Sequence, residues 1–283
     1  MTDFGPEIRD APSAANGQNP AADARRPDIY AYGSMDAIQR ALGIIQRLAA
    51  APKGRSLTDL AEDMRVNKPT VFRTLASLEN AGYVEQDPVS QYYRLTLKIA
   101  SVAFALLDSM GLEEVCQPYL DDLARETGEL VQLAVVQSQD MIFAAKAEGT
   151  QRVKVVPELG RRVTLHASAA AKTWLASLPE DEAIRIVTTH GMSRNTPSTI
   201  TRVADFLAEL ELTRQRGYGT SVQEFWDDVN AVGAPVRSGR TRRRVVAAIA
   251  VAGPAARLPE ERLHALGPRV IDVADAIGAI WPL

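Results

Sequence analysis

The chain has 283 residues, 46% of them hydrophobic, which is enough for about two globular domains and too much for a single small module. A net charge of −3 argues against a protein coated with positive charge for non-specific nucleic-acid binding, although it leaves room for a local DNA-binding face. One cysteine, Cys116, excludes an intrachain disulfide framework, and no apolar run approaches the roughly 20 residues of a membrane helix.

The opening lacks the basic-then-apolar layout of a signal peptide, so a cytoplasmic location is expected. Residues 1–33 are rich in Ala, Pro, Asn, Asp and Gly without apolar periodicity and are expected to form a disordered tail. Met35 to Ala50 predicts a helix with Ile38, Leu42, Ile45 and Leu48 on one side. Leu57 to Met64 predicts a short helix with Ser56 as N-cap. Only Arg65-Val66-Asn67 separates it from the next helix.

That next helix is capped by Asn67 and carries Pro69 in its first turn, where a missing N–H does no harm. Val71, Leu75 and Leu78 form one apolar stripe, and Gly82 ends the element. Thr70, Arg73, Thr74 and Ser77 form a second stripe that is small, polar and cationic, as a helix reading a major groove requires. Two helices joined by so short a turn make a helix-turn-helix. Tyr83–Asp87 and Gln91–Leu95 around Pro88-Val89-Ser90 predict a β-hairpin wing. Residues 34–96 therefore read as a winged helix-turn-helix domain. Its candidate DNA-contacting residues are Lys68, Pro69, Thr70, Arg73, Thr74 and Ser77, with Ser56 and Arg94 positioning the backbone.

Residues 97–112 predict a helix, Leu97 to Met110, apolar on more than one side, which its own domain or a second copy must cover. From residue 113 to 283 helices alternate with strands. Helices are expected over Glu114–Thr127, His166–Leu178, Glu180–His190, Thr201–Arg216 and Pro259–Ile280. Strands are expected over Val131–Val136, Met141–Ala145, Val153–Val156, Ala231–Val236 and Val245–Ala252, the last apolar throughout and so central. The fold class is α+β, with an antiparallel sheet in the second domain.

Catalytic signals are weak. His166, His190 and His264 are scattered and no metal site or cofactor is expected. Ser168 and Lys172 stand at i+4, whereas the serine–lysine acylating motif needs i+3. Glu224, Asp227 and Asp228 read as a solvated loop, and the basic run Val236–Val245 as a solvated turn. Gly160 to Lys172 is more informative, since a glycine loop runs into a helix of tiny residues. Such a helix either packs tightly on a sheet or floors a ligand pocket, its free N–H groups favouring an anion.

The run Ala-Ile-Gln-Arg-Ala-Leu-Gly-Ile-Ile from Ala37, Ser-Leu-Thr-Asp-Leu-Ala from Ser56, Lys-Pro-Thr-Val-Phe-Arg-Thr-Leu from Lys68 and Tyr-Arg-Leu-Thr from Tyr93 resembles the IclR-type transcriptional regulators over about residues 34–283. The resemblance implies a linker helix that helps dimerise and a GAF-like effector-binding domain. It places an effector pocket at Val153, Val156, Leu165, His166, Ala170, Ala171, Ser221, Val229, Ala231, Ala250 and Ala252. The family usually has glycine where this chain has Ala171. Some relatives carry a carboxylate at the position of Ser221 and a thiol at that of Ala231, so this pocket is expected to be smaller and more apolar. The implied partners are a palindromic double-stranded DNA operator and further copies of the chain, as a homodimer or dimer of dimers. The apolar, mostly small residue types at the pocket positions suit a small organic acid with a hydrophobic or aromatic body as effector. A metabolite-processing enzyme and a protein-interaction module remain as alternatives from other classes.

Overall fold

The computed structural model describes residues 36–151, 155, 160, 162–238 and 244–282. The expected tail therefore lies outside the described residues, as do Val153, Val156 and the middle of the basic turn.

Helix α1 (Ala37–Ala49) starts at a capping box. The Asp36 carboxylate accepts from the Gln39 N–H, and the Gln39 side chain accepts from the Asp36 N–H. It buries Ile44 and Leu48, while Ile38 and Leu42 are exposed. Of the expected stripe, Leu48 is buried and Ile45 packs on the core while Ile38 and Leu42 stand outside, so the buried face is rotated to take in Ile44. Helix α2 (Leu57–Met64) has the Ser56 cap, with Asp59 reciprocating. It ends at Arg65 in the left-handed region (φ 53°), which makes the turn into α3 (Lys68–Asn80) short. The Asn67 side chain caps α3 through the Thr70 N–H. Val71, Leu75 and Leu78 meet Ile44, Leu48, Leu60 and Met64 in one core, closed by Val84 and Tyr93 of the wing. The wing strands β1 (Val84–Gln86) and β2 (Tyr93–Leu95) pair antiparallel, with Glu85 opposite Arg94. Arg55 bridges to Tyr93 and ties the wing to the start of α2. Gly54 makes that approach possible: at φ +82° a Cβ there would stand 2.7 Å from the Tyr93 carbonyl.

Helix α4 (Lys98–Met110) leaves the wing and meets α5 (Leu112–Thr127) beyond Gly111. Leu97, Val102, Phe104 and Leu106 are exposed. No helix of the described residues is long and apolar enough to cross a membrane.

The second sheet runs β4 (Asp140–Ala147), β3 (Leu130–Gln137), β7 (Val245–Pro254), β6 (Val229–Arg237), β5 (Gly219–Val222), and every pair is antiparallel. The all-apolar β7 is central, as its composition requires. Strand β5 was not expected. It is four residues long and sits at the edge, with a glycine at its start.

Side-chain alternation divides the sheet. Val131, Leu133, Val232, Ala234, Ala247, Ile249 and Val251 face α5 and α9 (Glu260–Ala279). Ala134, Met141, Ala248 and Ala250 face the other way, toward α6 (Ala169–Ala176), with α7 (Glu180–His190) and α8 (Val203–Arg216) packed on α6. Helix α6 starts three residues later than expected. The Ala167 N–H bonds back to the Thr164 carbonyl, which closes a turn, and Ser168 is extended. His166 thus precedes the helix.

Candidate DNA-binding face and effector cavity

The polar stripe of α3 faces away from the core. Lys68, Pro69, Arg73 and Ser77 are exposed, and Thr70 and Thr74 are half-buried. The hydroxyls are held by their own helix. Thr74 Oγ1 donates to the Thr70 carbonyl at 3.0 Å and Ser77 Oγ to the Arg73 carbonyl at 3.0 Å. Arg73 Nη2 reaches Thr70 Oγ1 at 3.4 Å, a long contact that leaves most of its donors outward. Ser56 is half-buried and accepts from the Asp59 N–H at 3.1 Å.

Arg94 lies on the wing, with Nη2 2.5 Å from Asp87 Oδ2. The Asp87 carboxyl is held below its ordinary range, first by the Ser90 N–H and hydroxyl and less by Val89 and the Arg94 charge. Asp63 pairs with both Arg47 (3.0 Å) and Arg55 (2.7 Å). Burial raises the Asp63 carboxyl, but the hydrogen bonds and charges of the two guanidiniums outweigh it and leave it lowered.

Between the sheet and the segment before α6 lies an open cavity lined mostly by apolar groups. Its floor is made of residues of one parity: Gln132 on β3, Phe143 on β4, Ser221 on β5, Ala231 on β6, Ala250 and Ala252 on β7. Register explains this convergence, since Ser221 stands opposite Ala231 and Ala231 opposite Ala252. The roof is Arg162 to Thr164 and Ala167 to Ala169, with Val155 beside it. Val229, Phe225 and Trp226 close one side, the two rings meeting edge to face at 4.8 Å. Arg162 is exposed, and its Nε lies 3.2 Å from Asp140 Oδ2. Ser221 Oγ donates to the Ala167 carbonyl at 2.8 Å and pins the roof to the edge strand.

Of the residues expected at a pocket, Ser221, Val229, Ala231, Ala250 and Ala252 come together here. Leu165, Ala170 and Ala171 lie instead in the core under α6, α7 and α8. The late helix start is the reason: it points Ala167 to Ala169 at the opening and stacks the next alanines on the sheet. Gly233 allows this, since a Cβ there would lie 3.0 Å from the Ala170 nitrogen. His166 is buried and its Nε2–H donates to the Ser193 carbonyl at 2.9 Å. Burial lowers the pKa of its ring, and the Lys172 charge adds to this against the Ser193 bond.

Gln132, Phe143, Arg162, Thr164, Phe225 and Trp226 escaped sequence reasoning. Gln132 had a signal, a polar residue inside the apolar run Val131–Val136, which marks an inward face open to something polar.

Glu224 is not part of a solvated loop. It is buried, as is Lys172, whose Nζ donates to Glu224 Oε1 at 2.5 Å and to the Thr220 carbonyl at 2.9 Å. Burial raises the pKa of the Glu224 carboxyl, although the Lys172 charge and hydrogen bond pull it down. Thr199 Oγ1 donates to the Glu224 carbonyl at 2.7 Å and Thr196 Oγ1 to that of Gln223 at 2.6 Å. Asp227 and Asp228 remain exposed. Among the described residues no group of three or more His, Cys, Asp or Glu is placed to hold a metal ion.

The IclR helix-turn-helix domain matches residues 37–88, and the bacterial transcriptional regulator IclR C-terminal domain matches 104–279. The HTH-type transcriptional repressor AllR of Salmonella paratyphi A is 30% identical over 241 residues, covering 85% of this chain and 88% of its own. An IclR family transcriptional regulator from Brucella abortus superimposes with a TM-score of 0.70 at 26% identity, covering 87% of this chain and 92% of that one. An IclR homologue from Microbacterium hydrocarbonoxydans, crystallised with 4-hydroxybenzoate, shares the fold at a TM-score of 0.71 and 18% identity, covering 86% and 98%. These relatives are regulators rather than enzymes. The two domain matches fall on the helix-turn-helix and on the antiparallel α/β domain respectively, and the chain belongs to the IclR family of DNA-binding transcriptional regulators.

Proposed function

We propose that the chain is an effector-responsive repressor whose ligand is a small organic acid with an aromatic body. The observation that carries this is the cavity lining. Three aromatic rings line it, Phe143 in the floor beside Ala231, Ala250 and Ala252 and Phe225 and Trp226 at one side, and the exposed guanidinium of Arg162 borders it. A mostly apolar pocket with a few polar groups suits such a ligand. The carboxylate would meet Arg162 and the backbone at the start of α6, where the helix dipole favours negative charge. The Microbacterium homologue, alike in fold, was crystallised with an aromatic acid, and the AllR relatives are repressors; both support the reading.

In this reading Arg73, Lys68, Pro69, Thr70, Thr74 and Ser77 address the major groove, and Ser56 and Arg94 the backbone. Phosphate contact by Arg94 would exchange its bond to Asp87 for one to DNA. The apolar outside of α4 supports a homodimer or dimer of dimers on a palindromic operator in the cytoplasm.

The test is a titration of the operator complex with aromatic acids, aliphatic acids, amines and sugars. Release by an aromatic acid at micromolar concentration is expected. Release by amines or sugars alone would defeat the assignment.

A further inference from the structure

Helix α3 carries one large apolar side chain in solvent. Phe72 is 52% exposed, although Val71, Leu75 and Leu78 of the same helix are buried. A lone exposed aromatic means little by itself. Its surroundings give it meaning. Phe72 takes no part in the hydrophobic cluster that joins α1, α2, α3 and the wing. It stands one turn after Lys68 and next to Arg73, both exposed, on the half of α3 that a helix-turn-helix presents to base edges. Helix geometry puts it about 100° from Val71 and about 100° from Arg73, so the exposed ring stands at the edge of α3 between the apolar stripe and the guanidinium.

Lys68 and Arg73 offer what phosphates and guanine edges accept. A phenyl ring offers no such hydrogen bond. What it can read in a major groove is the one apolar group displayed there, the 5-methyl of thymine. We propose that Phe72 is a specificity-determining residue whose ring packs on a thymine methyl group in each half-site of the operator. The inference rests on the DNA-facing orientation of α3 described above. It adds a base preference to a helix whose other exposed groups are polar or small.

The full-length protein is first used to select bound duplexes from a random pool. Each thymine of the selected operator is then replaced in turn by deoxyuridine, which removes the methyl and keeps every hydrogen-bonding atom. Affinity is read by fluorescence anisotropy for wild type, Phe72→Ala and Phe72→Leu. At one thymine per half-site, deoxyuridine should weaken wild-type binding about threefold to fivefold, the effect of uncovering one methyl group. Phe72→Ala should show no such loss there, and Phe72→Leu, which keeps an apolar tip, a reduced one. Deoxyuridine effects that are absent, or the same in wild type and Phe72→Ala, overturn the assignment of Phe72 alone. A pool that yields no bound duplex defeats the DNA-facing reading of α3 and the proposal with it.

Discussion

Lys172 Nζ lies 2.5 Å from Glu224 Oε1, and both side chains are buried. The pair joins the second turn of α6 to the loop that carries Phe225 and Trp226. Glu209 stands 4.0 Å from the same ammonium and is itself paired with Arg216 at 2.9 Å. A charge network, buried at Lys172 and Glu224 and half-buried at Glu209 and Arg216, therefore ties α6 to the aromatic side of the cavity.

Lys172→Met should destabilise the protein by about 3–5 kcal/mol, because it strands a buried carboxylate. The loss should depend on pH. Burial already raises the pKa of Glu224 above 4.5, and removing Lys172 takes away the charge and hydrogen bond that restrain it. A carboxyl with a raised folded-state pKa contributes stability at low pH that is lost as pH rises from its unfolded value through the folded one. Urea unfolding should thus show a smaller loss at pH 5 than at pH 8, and Lys172→Met/Glu224→Leu should recover part of it. Equal losses at both pH values would show that Glu224 is not the stranded group.

The elements were legible where local chemistry dominated. Ser56, Asn67 and Gly128 mark helix ends by capping and left-handed geometry alone, and the apolar run of β7 announces its central place. The Lys172–Glu224 pair was not legible, since its partners are 52 residues apart and only the sheet brings them together. The same holds for Glu129, which receives two hydrogen bonds from Arg257 at 2.6 and 2.7 Å across the fold. The cavity was half legible. The family resemblance places Ala231, Ala250 and Ala252 at a pocket, and strand register does bring them to one face, but the start of α6 depends on a turn at 164–167 that Ala-rich periodicity hides.

His166 makes a second pH-dependent contribution, of opposite sign. Its pKa in the folded protein lies below the ordinary 6.5 because burial disfavours the imidazolium. As pH falls through 6.5 the unfolded chain takes up a proton that the folded chain refuses, so stability declines until the folded pKa is reached. His166→Gln keeps an N–H for Ser193 and has no titration. Thermal unfolding between pH 7.5 and 5.5 should show a shallower decline in the variant; an unchanged slope would remove His166 as its source.

Phe104 is 67% exposed on α4, among apolar neighbours that nothing in the described residues covers. If a second copy covers them, Phe104→Glu buries an unpaired charge at the contact and should lower the assembly state without unfolding either domain. Sedimentation at micromolar concentration checks this. A wild type that already sediments as a monomer removes the idea.

Arg73→Ala should weaken operator binding by about 1–3 kcal/mol and relax the preference at one base pair, whereas Lys68→Ala should weaken all sequences alike and reduce the salt slope by about one. Competition binding at two salt concentrations separates these outcomes. Equal behaviour of the two variants would mean that Arg73 touches phosphate rather than base.

Two alanines test where the effector lies. Ala231 is half-buried on the cavity floor, and Ala171 is fully buried under α6. Ala231→Leu should fill the opening and abolish the response to an aromatic acid, while the protein keeps its stability and its operator affinity, because the winged helix is a separate core. Ala171→Leu forces three extra carbons into a packed interior and should cost about 1–3 kcal/mol of stability. Its effect on effector response should follow from that loss and be smaller than that of Ala231→Leu at temperatures where both are folded. Titrating both variants with the acid that releases wild type gives the comparison. A blocked response in Ala171→Leu, with a normal one in Ala231→Leu, would move the binding site from the sheet face to the interior of α6.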